Sequence, residues 1–294
     1  TTASSAPWPA PAGSPVGTRG WYLASDGEWY RSDEAPAAGY ALTEDGRWRP
    51  ADEVAEPWRS SRWGLGDAWW GVLAYIGAGL LGAIVLAAVA GDIDSVDDTS
   101  PYAIGAFVAL NAVAGIGVVW LATYRKGLRS LRRDFGLTGR WLDPLIGLGS
   151  GFAGVILAGL VSSAIDTALD ADERTSNLPV DELASAGEFV VFFVAVAIVT
   201  PIVEELFFRG LLYRSLLKRG RSVPHAIAMT TLLFIVPHLP AAESWTEVAG
   251  LFGAIGALGL AFNLACHWTG NRLAAPIVAH VLVNGLAAVA LYAG

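Results

Sequence analysis

The sequence predicts an all-α polytopic membrane protein, a bundle of about seven transmembrane helices preceded by a small N-terminal region containing β-hairpins. Three observations carry that prediction. The 294 residues are 54% hydrophobic and only 16% charged, with a mean hydropathy of +0.48, which leaves too little polar surface to coat a soluble globule of this size. From Ala68 onward, apolar runs alternate with short polar loops, and runs of about 20 residues cross a hydrocarbon core of about 30 Å as helices. The first 66 residues differ, being rich in Pro, Ala, Ser and Trp. A single cysteine, Cys266, excludes an intrachain disulfide framework and a Cys-rich zinc site. A net charge of −8 with no basic domain excludes nucleic acid as a general partner.

Residues 1–19 read as a disordered Pro/Ala/Ser leader, without the apolar stretch of a signal peptide. Residues 20–50 form a Trp-rich module of two repeats. Gly20-Trp21-Tyr22 followed by Asp26-Gly27-Glu28-Trp29 recurs 19 residues on as Gly39-Tyr40 followed by Asp45-Gly46-Arg47-Trp48. Asp-Gly between aromatic flanks is a hairpin signal, because glycine tolerates the positive φ of a tight turn. Two hairpins this short bury no core of their own, so their aromatic side chains pack across strands or against a partner. Residues 51–66 are a linker.

Residues 67–143 hold two transmembrane helices and a basic loop, and 144–294 a larger helical core. The predicted spans are 68–90, 103–124, 144–166, 188–210, 222–239, 248–268 and 273–292. Gly147 and Gly151 have the spacing that lets helix backbones approach closely. Lys and Arg gather on the cytoplasmic side of a membrane. Here the loops 92–98 and 170–182 are acidic, and every cation except Arg174 falls on the opposite side. The N-terminus is therefore expected in the cytoplasm. The Trp-rich N-terminus and Ala/Gly-rich composition have a bacterial character, which makes the plasma membrane the expected location.

Ionisable groups inside spans are costly and point to function. They cluster here. The fourth span carries Glu204, Glu205 and Arg209, the fifth Phe234 and His238, and the seventh His280 and Asn284. Arg221, in the turn between the fourth and fifth spans, lies 17 residues after Glu204 and 17 before His238, which puts both at one height in an antiparallel hairpin. His280 matches that depth if this hairpin, with its basic stretch Arg214–Arg221, protrudes about 10 Å further than the next. Successive helix residues point about 100° apart, so Glu204 and Glu205 face different surroundings. Glu205 and Arg209 have the favoured i, i+4 order of a structural ion pair, which leaves Glu204 for chemistry. The isolated His225 and His267 read as packing residues.

The patterns E-E-x-x-x-R, F-x-x-x-H and H-x-x-x-N, in this order on successive spans, resemble the motifs of the CAAX protease and bacteriocin-processing family of intramembrane endopeptidases, also called CAAX prenyl protease 2-like or Abi proteins. The resemblance covers residues 144–294. It implies hydrolysis of a membrane-associated peptide or protein within the bilayer, with Glu204 deprotonating water, helped by His238. His280 and Asn284 would stabilise the oxyanion, with Glu205, Arg209 and Phe234 supporting the site. A metal alternative uses Glu204, His238 and His280 as a His₂Glu zinc set. No H-E-x-x-H occurs, and the metal-free tetrad is preferred. Two rivals stand beside this reading: an immunity or scaffold protein that binds a partner without catalysis, and a proton-coupled transporter. The transporter calls for an inverted repeat in hydropathy that the sequence does not show.

Overall fold

A computed structural model describes residues 56–90, 101–169, 183, 185–241 and 244–293, together with four short strands nearer the N-terminus. The chain divides into two units, Thr1–Ser61 and Arg62–Gly294. In the first, β1 (Trp21–Leu23) pairs antiparallel with β2 (Trp29–Arg31), and β3 (Tyr40–Leu42) with β4 (Trp48–Pro50). The registers Trp21↔Arg31 and Tyr40↔Pro50 repeat with the 19-residue period of the sequence motif. The leader, the Asp26-Gly27 and Asp45-Gly46 turns and most of the linker lie outside the described residues, as do the acidic loops 92–98 and 170–182.

Every regular element in the described part of the second unit is a helix. Its helices are α1 (Leu65–Ala90), α2 (Pro101–Lys126), the short α3 (Leu131–Phe135), α4 (Asp143–Leu169), α5 (Ala186–Lys218), α6 (Val223–Ile235), α7 (Trp245–Trp268) and α8 (Ala274–Ala293). Several starts are written in the sequence: Ser185 and Ser244 each accept from the N–H three residues on, at Glu188 and Glu247, both over 3.2 Å, as helix-capping serines do. Helices fall on all seven predicted runs. Five of them, α2, α4, α5, α7 and α8, are long and apolar enough to cross a membrane. No more than 39% of any of these apolar windows is buried within the protein, so most of each faces outward onto hydrocarbon. This is an integral membrane protein. Exposed Trp69, Trp70, Trp120, Trp141 and Trp268 ring the end of the bundle that carries the basic loops, where amphipathic aromatics settle at a membrane surface.

Two departures from expectation concern α5. The helix runs 33 residues, Ala186–Lys218, well past the predicted end at 210. Its internal charges compensate one another inside the protein, so the chain has no reason to leave the helix at Arg209. Nor is the basic stretch Arg214–Arg221 solvated along its whole length: Arg219 and Arg221 are exposed, but Arg214 is 4% exposed. Its guanidinium donates to the Asp134 carbonyl (2.8 Å) and the Asn271 carbonyl (2.6 Å), tying α5 to α3 and to the α7–α8 turn.

A buried polar knot closes this end. The carboxylate of Asp134, at 0% exposure, accepts from Trp63 Nε1 (2.8 Å), the Leu128 N–H (2.8 Å) and the Thr123 hydroxyl. Gly136 ends α3 in the left-handed region at φ 74°. A side chain there would collide with Arg214 and the Asn271 carbonyl, so glycine is required twice over. Arg272 grips Asp143 with two bonds of 2.7 Å, which holds the start of α4 against the α7–α8 turn and keeps the guanidinium above its ordinary range despite desolvation.

The rest of the bundle follows from close approaches. α4 packs along α7 and α8. At Gly147 an added Cβ would stand 2.5 Å from the Ala275 carbonyl oxygen, and at Gly151 it would stand 3.0 Å from that of Ala279. The small-residue spacing read from the sequence thus sets the α4–α8 distance. Helix α5 lies between α8 and the α1–α2 pair, and its middle carries the site.

Candidate active site

Helix α5 changes its winding twice. Two π-helical stretches, Phe193–Val199 and Leu206–Leu212, bracket an α-helical segment, Thr200–Glu205, that ends on the two carboxylates. Such wide turns within α-helices are frequent at functional sites. The first has a cause in the sequence. Thr200 N–H reaches back five residues to the Ala195 carbonyl, so the Val196 carbonyl loses its usual α-helical donor. The residue next in line is Pro201, which has no N–H. Asn284 fills the vacancy from α8, its Nδ2 donating to Val196 O over 2.9 Å.

Glu205 is fully buried. Its Oε1 accepts from Arg209 Nη1 at 3.0 Å and from His280 Nδ1 at 2.9 Å. With the proton held on Nδ1 by that bond, Nε2 of His280 is the nitrogen left for other work. It faces Glu204, 3.8 Å from Oε2, a distance of facing rather than of hydrogen bonding. Among the described residues, Glu204 Oε2 has no hydrogen-bond partner. The sequence separated the two glutamates by their 100° rotation; the imidazole spans that separation, meeting one carboxylate with each nitrogen.

Arg209 is held through both terminal nitrogens of its guanidinium. Besides Glu205, its Nη2 donates to the Gly259 carbonyl of α7 at 2.9 Å. The guanidinium carbon sits 4.5 Å from the centre of the Phe234 ring and 5.5 Å from that of Phe262. Carbonyl, carboxylate and aromatic faces together offset the desolvation that an isolated buried cation would suffer.

Phe234 is the hub between the helices. Its ring meets Phe208 and His280 edge-on, with centroids at 5.2 and 5.7 Å, and lies 5.3 Å from His238. His238 stands on a 3₁₀ turn, Val236–Ala241. Its Nδ1 donates to the Phe234 carbonyl at 3.0 Å, leaving Nε2 available. The structure thus joins Glu204, Glu205, Arg209, Phe234 and His280 by direct contacts. His238 is linked to the group through Phe234, and Asn284, one turn beyond His280, is anchored on Val196. Of the remaining histidines, His267 meets the Tyr213 hydroxyl at 3.4 Å and His225 is exposed.

Helix α7 contributes what the sequence did not flag. Phe262 stacks on His280 with centroids 4.7 Å apart and planes at 24°. Asn263 donates to Thr231 Oγ1 (2.9 Å) and to the same Gly259 carbonyl that holds Arg209 (3.0 Å). An amide in the middle of an apolar span was the available signal; the phenylalanine and the glycine gave none. For the zinc alternative, Glu204, His238 and His280 would have to converge on one point at about 2 Å each. Among the described residues no three His, Cys, Asp or Glu side chains are grouped closely enough to hold an ion.

Fold and site together define a class: an integral membrane helical bundle with an acid–imidazole cluster sealed among apolar helices. Residues 186–286 match the type II CAAX prenyl endopeptidase Rce1-like family, a stretch that includes every candidate site residue from Glu204 to Asn284. Over 140 residues the chain is 31% identical to the membrane-embedded CAAX protease MroQ of Staphylococcus aureus (strain USA300), an overlap of 46% of this chain and 53% of that protein. The chain thus spans about half the length of that curated relative. No solved structure matches it.

Proposed function

We propose that the protein is an intramembrane endopeptidase that hydrolyses peptide bonds of membrane-associated peptides or proteins, with Glu204 as general base. One observation carries the reading: Glu204 Oε2, buried and without a hydrogen-bond partner among the described residues, faces His280 Nε2 at 3.8 Å, while the neighbouring Glu205 is engaged through its Oε1 by Arg209 and His280. Glu204 removes a proton from water as the water oxygen adds to the scissile carbonyl, then passes it to the departing amine. His238 Nε2 orients the water. The oxyanion is stabilised by Nε2 of His280 in its protonated form and by the second amide N–H of Asn284. Positioned acid–base groups of this kind contribute about 10²–10⁴-fold in rate.

In this proposal α1 and α6 join the five long apolar helices as crossings, making seven, with the N-terminus and the basic loops in the cytoplasm. The site then lies in the cytoplasmic half of the bilayer. The paired strands between residues 20 and 50 form a two-hairpin module that docks a partner.

The test is cleavage of a peptide library by the purified protein in lipid nanodiscs, comparing wild type with Glu204→Gln, His238→Ala and His280→Ala, each with and without chelator. Loss of cleavage in all three variants with unchanged thermal unfolding supports the reading, and insensitivity to chelator supports the metal-free mechanism. A wild type that cleaves nothing, with variants that keep its cellular role, hands the site to the partner-binding alternative.

A further inference from the structure

The catalytic groups proposed above come from α5, α8 and the 3₁₀ turn after α6, yet α1 packs against Leu206–Lys218 of α5, the turns that follow the two glutamates, and lies outside the matched segment 186–286. Near the start of α1, the Trp63 carbonyl accepts from Lys218 Nζ at 2.6 Å. About two turns further on, Gly71 lies flat on the Phe207 ring, where a Cβ would overlap it. Helix α1 therefore climbs α5 in the antiparallel sense, from Lys218 toward Glu204. One more turn, about 5.4 Å, brings the same face of α1 to Tyr75, four residues after Gly71 and level with Val203 and Glu204.

Three further facts single out this tyrosine. Its neighbours Leu73 and Ile76 are 57% and 53% exposed toward the lipid side, whereas Tyr75 is turned inward and partly buried. It lies within electrostatic reach of Glu204. Its hydroxyl makes no hydrogen bond among the described residues, although a phenol drawn into an apolar interior ordinarily finds a partner there.

We infer that Tyr75 is a further catalytic residue of this site, contributed by the first transmembrane helix: its phenolic O–H donates a hydrogen bond to the oxygen that becomes negative when water adds to the scissile carbonyl. The inference rests on Glu204 acting as the base. In the resting site the negative charge sits on the Glu204 carboxylate. Once Glu204 has taken the proton from water, that charge has moved to the former carbonyl oxygen, and a donor beside the first position serves the second. Tyr75 transfers no proton in this role.

The experiment compares wild type, Tyr75→Phe and Glu204→Gln in the nanodisc peptide assay. Tyr75→Phe keeps the ring and removes only the hydroxyl, so kcat falls by about 10²–10³-fold, the range of a lost oxyanion donor, while KM stays within about twofold and thermal unfolding is unchanged. Wild-type kcat in Tyr75→Phe beside an inactive Glu204→Gln overturns the inference and leaves the base assignment standing. Full activity in Glu204→Gln overturns the base assignment and this inference with it. A second readout needs no turnover: the Glu204 carboxylate stretch, isolated as the infrared difference between wild type and Glu204→Gln, shifts when Tyr75 becomes Phe. An unchanged band overturns the proximity on which the role depends.

Discussion

His280 donates its Nδ1 proton to Glu205 over 2.9 Å, and that bond decides which ring nitrogen meets Glu204. Glu205 acts through His280. Glu205→Gln removes the charge that favours this tautomer and leaves Arg209 without its counter-ion. We expect kcat to fall about 10–100-fold, the usual scale for a group that orients a functional imidazole, with KM little changed. Glu204→Gln removes the proposed base and is expected to cost about 10²–10⁴-fold. Steady-state kinetics of both variants on one peptide check the order; equal losses would place both glutamates directly on the reacting atoms.

Arg209 makes a different prediction, because its role is to keep a buried charge tolerable. Arg209→Ala strands Glu205 without its cation at 0% exposure, and breaking one side of a buried pair costs about 3–5 kcal/mol. Thermal unfolding in detergent is expected to drop accordingly. Arg209→Lys retains the charge but cannot reach Glu205 and the Gly259 carbonyl with a planar fork, so it rescues part of the stability and little of the activity. Complete rescue by lysine would show that the α7 contact is dispensable.

These residues also mark how far the sequence could be read. Charge in an apolar span announces itself, so Glu204, Glu205, Arg209, His238 and His280 were legible as a group. Gly147 and Gly151 were legible because small residues four apart have one common use in membranes. The contributions of Gly259 and Phe262 were not, since a carbonyl and an apolar ring look the same in sequence whether they hold Arg209 and His280 or face lipid. The burial of Arg214 was missed for the opposite reason: a basic residue near a loop reads as solvated, and only the fold reveals the Asp134 and Asn271 carbonyls that its guanidinium satisfies.

The α4–α8 contact can be tested through backbone distance alone. At Gly147 a side chain meets the Ala275 carbonyl and the Val278 side chain, whereas at Gly149 nothing lies within 4 Å. Gly147→Val therefore pushes α8 away from α4 and displaces His280 from Glu205, lowering both unfolding temperature and cleavage. Gly149→Ala leaves both unchanged. Matched unfolding and activity measurements on the pair separate a steric effect at this contact from a general cost of replacing glycine.

The Val196 carbonyl offers the sharpest coupling. In the wild type, Pro201 cannot donate to it and Asn284 does, over 2.9 Å, so Asn284→Ala leaves a carbonyl in an apolar bundle unsatisfied at a cost of about 1–3 kcal/mol. Pro201→Ala restores an N–H five residues along the same helix, where a π-helical bond to Val196 can form. Asn284→Ala should then cost less stability in the Pro201→Ala background than in the wild type, a coupling of about 0.5–3 kcal/mol for neighbours sharing one partner. Thermal unfolding of the two single variants and the double variant measures it. Additive losses would mean that the restored N–H bonds elsewhere, and that the π turn owes its shape to packing rather than to the proline. Catalytic loss, by contrast, should follow Asn284→Ala in both backgrounds, because the restored helix bond replaces the anchor but not the second amide N–H that we propose is offered to substrate.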